Sequence, residues 1–542
     1  MPDLTVELPE QVGVRFSVAA ARFKVAPQLA DRVISWDSSG DLCFPGGLMR
    51  PRLPAALLFL SVLAMPAFFA SAAPARPQTF GIDALALTGV PLALPSTSLG
   101  GAIEQSAGAP AAPHGGTAAA ALAALERQQQ LTLSDPGVDQ GFGFSIAISR
   151  RTAVVGAPGR NVDEHLSQGA AYVFRRSGAT WTLIQELIAS DGAAGDQFGI
   201  AVAMAGDTLL IGASQPGTAG PGAAYVFTRS GATWTETQKL TARDCTDNSL
   251  FGWALALDGN TAVVGAQAQP YDWAADAPGP GAAYVFTRSR AGWSLQQKLA
   301  DGIGGGGAWG LFGYALALDG DTLLVSEPGR AVGENARQGA VHVYARWGAR
   351  WIRQQQLVQS DGEAGDFFGG MTIGLEGETA LLGAHGHKVG DTADQGAVYV
   401  FTREDLTWSQ QQELTSSDGG AGSLFGYTIA LDGGRALIGA PLSSIGPDAP
   451  QGAAYVFTRS GAVWAQVGEA LRARDGAAGD WFGLAVALSG DTALVGAWNK
   501  AIDGVAGAGA AYVFGLPGTI GPPADGLHGK VGPGGAPPSE GP

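Results

Sequence analysis

The feature that most constrains this chain is a Phe-Gly pair that returns seven times, at Phe142, Phe198, Phe251, Phe312, Phe368, Phe425 and Phe482. Successive spacings are 56, 53, 61, 56, 57 and 57 residues. Such a period means one supersecondary unit in tandem, each copy burying its apolar face on the next. Within a unit, segments such as FGWALALDGNTAVVGAQ, starting at Phe251, alternate apolar with small or polar residues, the two-residue period of half-buried strands. The turn Asp258-Gly259-Asn260-Thr261, where Gly can take a positive φ, folds that segment into a tight hairpin of strands A and B. Strand C is GAAYVF or a near copy, opening at Gly169, Gly222, Gly281, Gly339, Gly396, Gly452 and Gly509. Twelve residues after the first six of these stand Trp181, Trp234, Trp293, Trp351, Trp408 and Trp464, each opening a strand D. Four short antiparallel strands per unit predict an all-β chain, a seven-bladed β-propeller.

The seventh unit ends at Phe514 with no Trp strand after it. The missing strand stands ahead of the first unit, in LERQQQLTLSD from Leu125 to Asp135. There Leu131 precedes Phe142 by 11 residues, as Leu187, Leu240, Leu357, Leu414 and Leu471 precede their own Phe-Gly pairs, and Leu125 occupies the Trp place. The amino-terminal strand is therefore expected to complete the last blade and close the ring, leaving no blade without a neighbour.

The Phe-Gly opening followed by Gly-Ala-Pro, at Gly156-Ala157-Pro158 and Gly439-Ala440-Pro441, resembles the FG-GAP repeat of the integrin alpha-subunit propeller and of its bacterial secreted relatives, over residues 125–515. Other units read Gly-Ala-Ser, Gly-Ala-Gln, Gly-Ala-His or Gly-Ala-Trp, and the fourth reads Ser326-Glu327-Pro328. The resemblance implies an extracellular or cell-surface binding or adhesion module with a protein or glycan partner. Integrin-type propellers hold calcium in loops between strands A and B. Here that place is the short turn just described, unable to wrap an ion that needs six or more oxygens, so no calcium site and no cofactor is carried over.

Residues 1–48 show no repeat and are read as an upstream extension that does not belong to the protein, with Met49 the start. Met49-Arg50-Pro51-Arg52, the apolar LPAALLFLSVLAMPAFFA and Ala70-Ser71-Ala72 form a basic, apolar and small-residue succession, which reads as a signal peptide over 49–72. A transmembrane anchor competes, but Pro54 and Pro66 interrupt the apolar run. Export and cleavage would leave no membrane insertion and would place the chain outside a bacterial cell, in the periplasm or on the surface. Residues 73–124 are an Ala/Pro/Gly-rich linker and 516–542 a Gly/Pro-rich tail, both expected to be disordered.

A net charge of −16 argues against nucleic acid as partner, because phosphate binding needs a basic surface. With only Cys43 and Cys245 there is no disulfide framework, and Cys245 is read as a small packed side chain. Loop lengths point to one face. From the Gly-Ala position to strand C the intervals are 13, 10, 16, 13, 13, 13 and 13 residues, and the connection into blade 4 is the one lengthened D to A loop. Since strand direction alternates, both kinds of loop leave at the same end, which is the expected binding face. Candidate contacts there are Tyr271, Asp272 and Trp273 in the longest loop, Trp309, His385 and His387 of Gly-Ala-His-Gly-His, and Trp498. The His pair lacks a neighbouring carboxylate or Cys in sequence, so solvent exposure is preferred to a metal. Repeated Asp pairs in the D to A loops (Asp191 and Asp196, Asp361 and Asp366, Asp475 and Asp480) are read as turn caps. No nucleophile elbow, catalytic triad or phosphate loop stands out, so no catalytic residue is named and the chain is expected to be a monomeric, non-enzymatic module. A carbohydrate-active lyase or hydrolase on a propeller, and a structural surface component, remain the rival readings.

Overall fold

The computed structural model describes residues 35–36, 42–43, 128–215, 220–269, 279–301, 310–444 and 450–516. The upstream extension, signal, linker and tail expectations fall outside these residues, apart from a two-strand pairing of Ser35–Trp36 with Leu42–Cys43 in a separate amino-terminal unit. Tyr271, Asp272, Trp273, Trp309 and Leu125 also lie outside them.

Seven four-stranded antiparallel sheets follow one another, each in the order A-B-C-D. Blade 3 shows the pattern: Phe251–Asp258, Thr261–Ala266, Ala282–Ser289 and Gly292–Leu299. Its A to B hairpin closes through Gly259 at φ 53°, with Asp258 paired to Thr261. In blade 7 the strands Phe482–Ser489, Thr492–Ala497 and Ala510–Gly515 are completed by Gln129–Leu131. Leu131 pairs with Ala511 just as Leu187 pairs with Ala171 in blade 1, so the closing strand keeps the register of the other outer strands. The two ends of the propeller are joined in one sheet.

The seams explain the motif. Each Phe of a Phe-Gly pair is fully buried and meets two rings of its own strand C, as Phe198 meets Tyr225 and Phe227 edge-on; in blade 4 the two rings are His342 and Tyr344. This aromatic face, with Trp234, packs on Ala171, Val173 and Leu187 of the preceding blade. Burying one such side chain contributes about 1.5–3 kcal/mol. The Gly of Gly-Ala is required by approach: a Cβ on Gly156 would stand 2.0 Å from the carbonyl oxygen of Gly199 in the next blade, and Gly212 and Gly439 meet the same distance at Gly252 and Gly483.

A bulge between strands C and D was not legible in the sequence. In blade 1 the register shifts between Val173 and Phe174, so Trp181 shares the Phe174 side while Gln185 and Leu187 turn to the Val173 side. Trp181 thereby faces the blade behind and Gln185 the blade ahead. Gln185 then clamps the main chain of Trp234, donating to its carbonyl at 2.7 Å and accepting from its N–H at 2.8 Å. Gln129, Gln238, Gln297, Gln355 and Gln412 repeat the clamp on Trp181, Trp293, Trp351, Trp408 and Trp464. In blade 6 the matching place is Gly468, which has no side chain, and strand D holds only Val463–Gln466; across that seam Gln128 instead bonds the main chain of Arg472 and Arg474.

Candidate functional site

Parallel bridges join six of the seven strand C openings to the next Phe, as Gly169 to Phe198 and Gly281 to Phe312. The B to C and D to A loops therefore leave at one end of the ring. At that end the residues following the Phe-Gly pairs form a contiguous apolar ring on the inner strands: Phe144, Ile200, Trp253, Tyr314, Met371, Tyr427 and Leu484. Trp498 joins it, edge-on to Phe144 and Trp481 at 5.8 and 6.0 Å and only 8% exposed. The other end differs. There Asp258, Asp319, Glu376 and Asp432, at the last position of their inner strands, each accept a bond from the turn N–H of the next blade. A cleft of 590 Å³ opens on that opposite side between blades 5 and 6, beside Glu376, Glu378, Glu404, Arg403 and Arg459.

The expectation that His385 and His387 are exposed is overturned, since they are 4% and 6% exposed. Unit five carries one extra residue, and Gly370 stands where other blades place a large apolar side chain. A Cβ there would come within 3.2 Å of His385 Nδ1. His385 takes the space, stacked on Phe367 and edge-on to Tyr427, and burial pulls its pKa down to about 4. His387 packs edge-on to Tyr399 at 5.8 Å. Its Nδ1 lies 3.0 Å from Asp366 Oδ2, and that hydrogen bond outweighs burial and raises its pKa. The carboxylate absent from its sequence neighbourhood is supplied by the D to A loop.

That arrangement has a counterpart in every blade. The first Asp of the D to A loop lies beside the strand C ring, which is Tyr in six blades and His342 in blade 4. In blade 2, Asp191 accepts from Tyr225 Oη at 2.8 Å and pairs with Lys239 at 2.7 Å, a bond that holds its carboxyl below the usual range. Asp135 pairs with Arg160, Asp244 with Lys298, Asp301 with Arg330, Asp418 with Arg472 and Asp475 with Lys500. The second Asp of the loop caps the turn as expected: Asp196, Asp366 and Asp480 accept from the N–H of Ala193, Glu363 and Ala477 at 2.8 Å. Cys245 is packed beside Tyr284, and burial pushes its thiol up to about 11.

Blades 4 and 5 depart from the pattern. In blade 4, Glu327 and His342 occupy the places of an Ala and a Tyr, both fully buried, 2.8 Å apart, with Glu327 also bonded to Arg330. Burial lowers the His342 pKa. Ligand atoms of Asp301, Glu327 and His342 lie within 4.8 Å of one another, as do those of Asp361, His387 and Glu413 in blade 5. The two clusters differ in charge. Arg330 and Arg353 balance Asp301 and Glu327, whereas among the described residues no Lys or Arg pairs with Asp361, Asp366 or Glu413. Burial and then Asp361 raise the pKa of Glu413.

No curated protein sequence matches the chain. The family model described as FG-GAP repeat matches residues 125–174, 181–227, 234–286, 351–401, 408–457 and 464–514, together more than half of the chain. Each match runs from a strand D through A and B to a strand C, so the unit straddles two blades and the first one takes in the closing strand. The stretch between 286 and 351 falls outside these matches and is the one holding Ser326-Glu327-Pro328 and His342. Seven blades opened by Phe-Gly, with glycine enforced where Gly-Ala meets the next blade, and six matched repeats agree: this chain belongs to the FG-GAP repeat family, whose propeller it shares with the integrin alpha-subunit amino terminus.

Proposed function

We propose that the protein is an exported, monomeric, non-catalytic binding module that meets an extracellular protein or glycan across the face from which the B to C and D to A loops leave. The observation that carries the reading is the apolar ring at that end of the bore. With Trp253, Tyr314, Tyr427 and Trp498 buried in that ring, contact falls on the surrounding loops. Loops of unequal length on a rigid scaffold suit recognition.

A screen of glycans and extracellular matrix proteins, with and without calcium, tests this. Binding lost on Tyr271→Ala with Trp273→Ala, with the melting temperature intact, supports the face; binding that survives both substitutions moves the contact elsewhere. Turnover of a bound polysaccharide would favour the lyase or hydrolase reading. A surface defect on deletion, with no soluble ligand found, would favour a structural component.

A further inference from the structure

In six of the seven seams the first Asp of the D to A loop is neutralised by a Lys or Arg: Arg160, Lys239, Lys298, Arg330, Arg472 and Lys500. Five of these cations come from two places, the B to C loop or strand D, and Arg472 follows the short strand D of blade 6. Blade 5 fills both otherwise. The B to C place held by Arg160 in blade 1 and Lys500 in blade 7 is His387, and the strand D place held by Lys239 and Lys298 in blades 2 and 3 is Glu413. The outcome is three carboxylates, Asp361, Asp366 and Glu413, around one imidazole.

The parts are ordered for a purpose other than mutual neutralisation. Asp366, 2% exposed, holds His387 Nδ1 at 3.0 Å, which leaves Nε2 turned to Asp361 Oδ2 at 3.9 Å. A carboxylate fixing one ring nitrogen so that the other can bind is the support arrangement of histidine metal ligands. Tyr399 adds an independent sign. It is fully buried, its ring lies edge-on to His387 at 5.8 Å, and its hydroxyl faces Asp361 without completing a hydrogen bond, whereas Tyr225 and Tyr512 donate to their Asp. We propose that His387 Nε2, Asp361 and Glu413 form a binding site for a divalent zinc-type cation on the blade 5 rim, with Asp366 orienting the histidine.

One nitrogen and two carboxylate oxygens suit zinc better than calcium, which takes six to eight oxygens. Zinc bonds of about 2.0–2.2 Å place neighbouring ligand atoms about 3.3 Å apart in a tetrahedron. The half-exposed Asp361 and the exposed Glu413 need to close by only a fraction of an ångström to a little over one from the present spread of at most 4.8 Å. A fourth position then stays open toward the rim. The site is independent of what the loop face binds.

The test uses untagged full chain, stripped with a chelator and titrated with Zn²⁺ alone by calorimetry, with Co²⁺ as a visible probe of tetrahedral nitrogen and oxygen ligation. One Zn²⁺ per chain is expected, with a dissociation constant at or below about 10 μM, the open-sited three-ligand range, equivalent to about 7 kcal/mol. Two variants borrow residues from sister blades and so keep the fold: Glu413→Lys, as at Lys239, and His387→Arg, as at Arg160. Each should weaken Zn²⁺ binding at least 100-fold and abolish the Co²⁺ bands while melting at or above the parent temperature. Parent protein without a stoichiometric Zn²⁺ site, a preference for Ca²⁺ over Zn²⁺, or unchanged binding in either variant would overturn the proposal.

Discussion

Replacing Gln297 by Ala removes the two-point clamp between blades 3 and 4. Its Nε2 donates to the Trp351 carbonyl at 2.9 Å and its Oε1 accepts from the Trp351 N–H at 2.8 Å. A net contribution of about 0.5–1.5 kcal/mol per bond makes the pair worth about 2 kcal/mol, since Trp351 lies on an outer strand and water reaches the vacated place. Unfolding entropy of about 2.1 cal/mol/K per residue over the propeller converts that into a fall of about 2–3 °C in Tm. Gln297→Glu keeps the acceptor but sets a carboxylate oxygen against the Trp351 carbonyl in place of the donor, so when ionised it should cost at least as much as the Ala variant. Scanning calorimetry and urea midpoints on the three proteins decide the matter. Ala and parent melting within 0.5 °C of each other would mean that the clamp is a consequence of packing and contributes nothing of its own.

Three further outcomes follow from the same seams. Removing residues 125–135 deletes the outer strand of blade 7 and takes Leu131 and Leu133 out of their cluster with Phe174 and Trp181, so Tm should drop by more than 10 °C and hydrogen exchange should quicken first in blade 7; a truncated chain that melts like its parent refutes closure. In blade 4, Glu327→Ala strands the buried His342 and leaves Arg330 with Asp301 alone, at a cost of about 3 kcal/mol, while adding His342→Tyr restores the pair used by other blades and should recover at least 1 kcal/mol in a double-mutant cycle by urea denaturation. Strict additivity would break that coupling. Because Cys245 titrates at about 11, only about one thiol in a thousand is ionised at pH 8, so maleimide labelling in a Cys43→Ser background should run about 100-fold slower than in urea and accelerate as pH rises toward 11. A native rate within fivefold of the unfolded one would contradict the packed thiol.

The ring was legible because its period is long, sevenfold and phased to residues with no alternative use. Even the closing strand could be read, from the distance between Leu131 and Phe142. The bulge was not, since Trp181, Gln185 and Leu187 share parity in sequence and only a shifted register sends them to opposite seams. The rim went unread for a related reason. Asp361, His387 and Glu413 lie on three different connections or strands, and each looks ordinary where it stands. Only the column across blades, with Lys239 and Lys298 above Glu413 and Arg160 above His387, marks blade 5 as the seam without a cation. Likewise, His385 and Trp498 sit in loops by sequence, yet they occupy the third place of Gly-Ala-Pro, which borders the apolar ring.

The departures of blades 4 and 5 are mechanically linked. Elsewhere the Gly of Gly-Ala admits no Cβ, because the next Phe-Gly carbonyl oxygen would stand 2.0–2.2 Å away. Ser326 breaks that rule, and its Oγ accepts the Ala315 N–H at 2.8 Å inside its own blade. The following strand must then yield. It carries the extra residue, a Cβ on Gly369 would meet Val341 Cγ2 at 2.8 Å and the Ser326 Cβ at 3.0 Å before the Ala340 carbonyl oxygen at 3.4 Å, and Gly370 opens the room that His385 fills. A strand displaced at its start also resets the B to C loop it supports, the loop that holds His387 against Asp366. Ser326, Gly370, His385 and His387 thus form one rearrangement spanning a single seam, and reverting Ser326 to Gly without removing the extra residue should leave a void and disturb the blade 5 rim, while reverting both should close it.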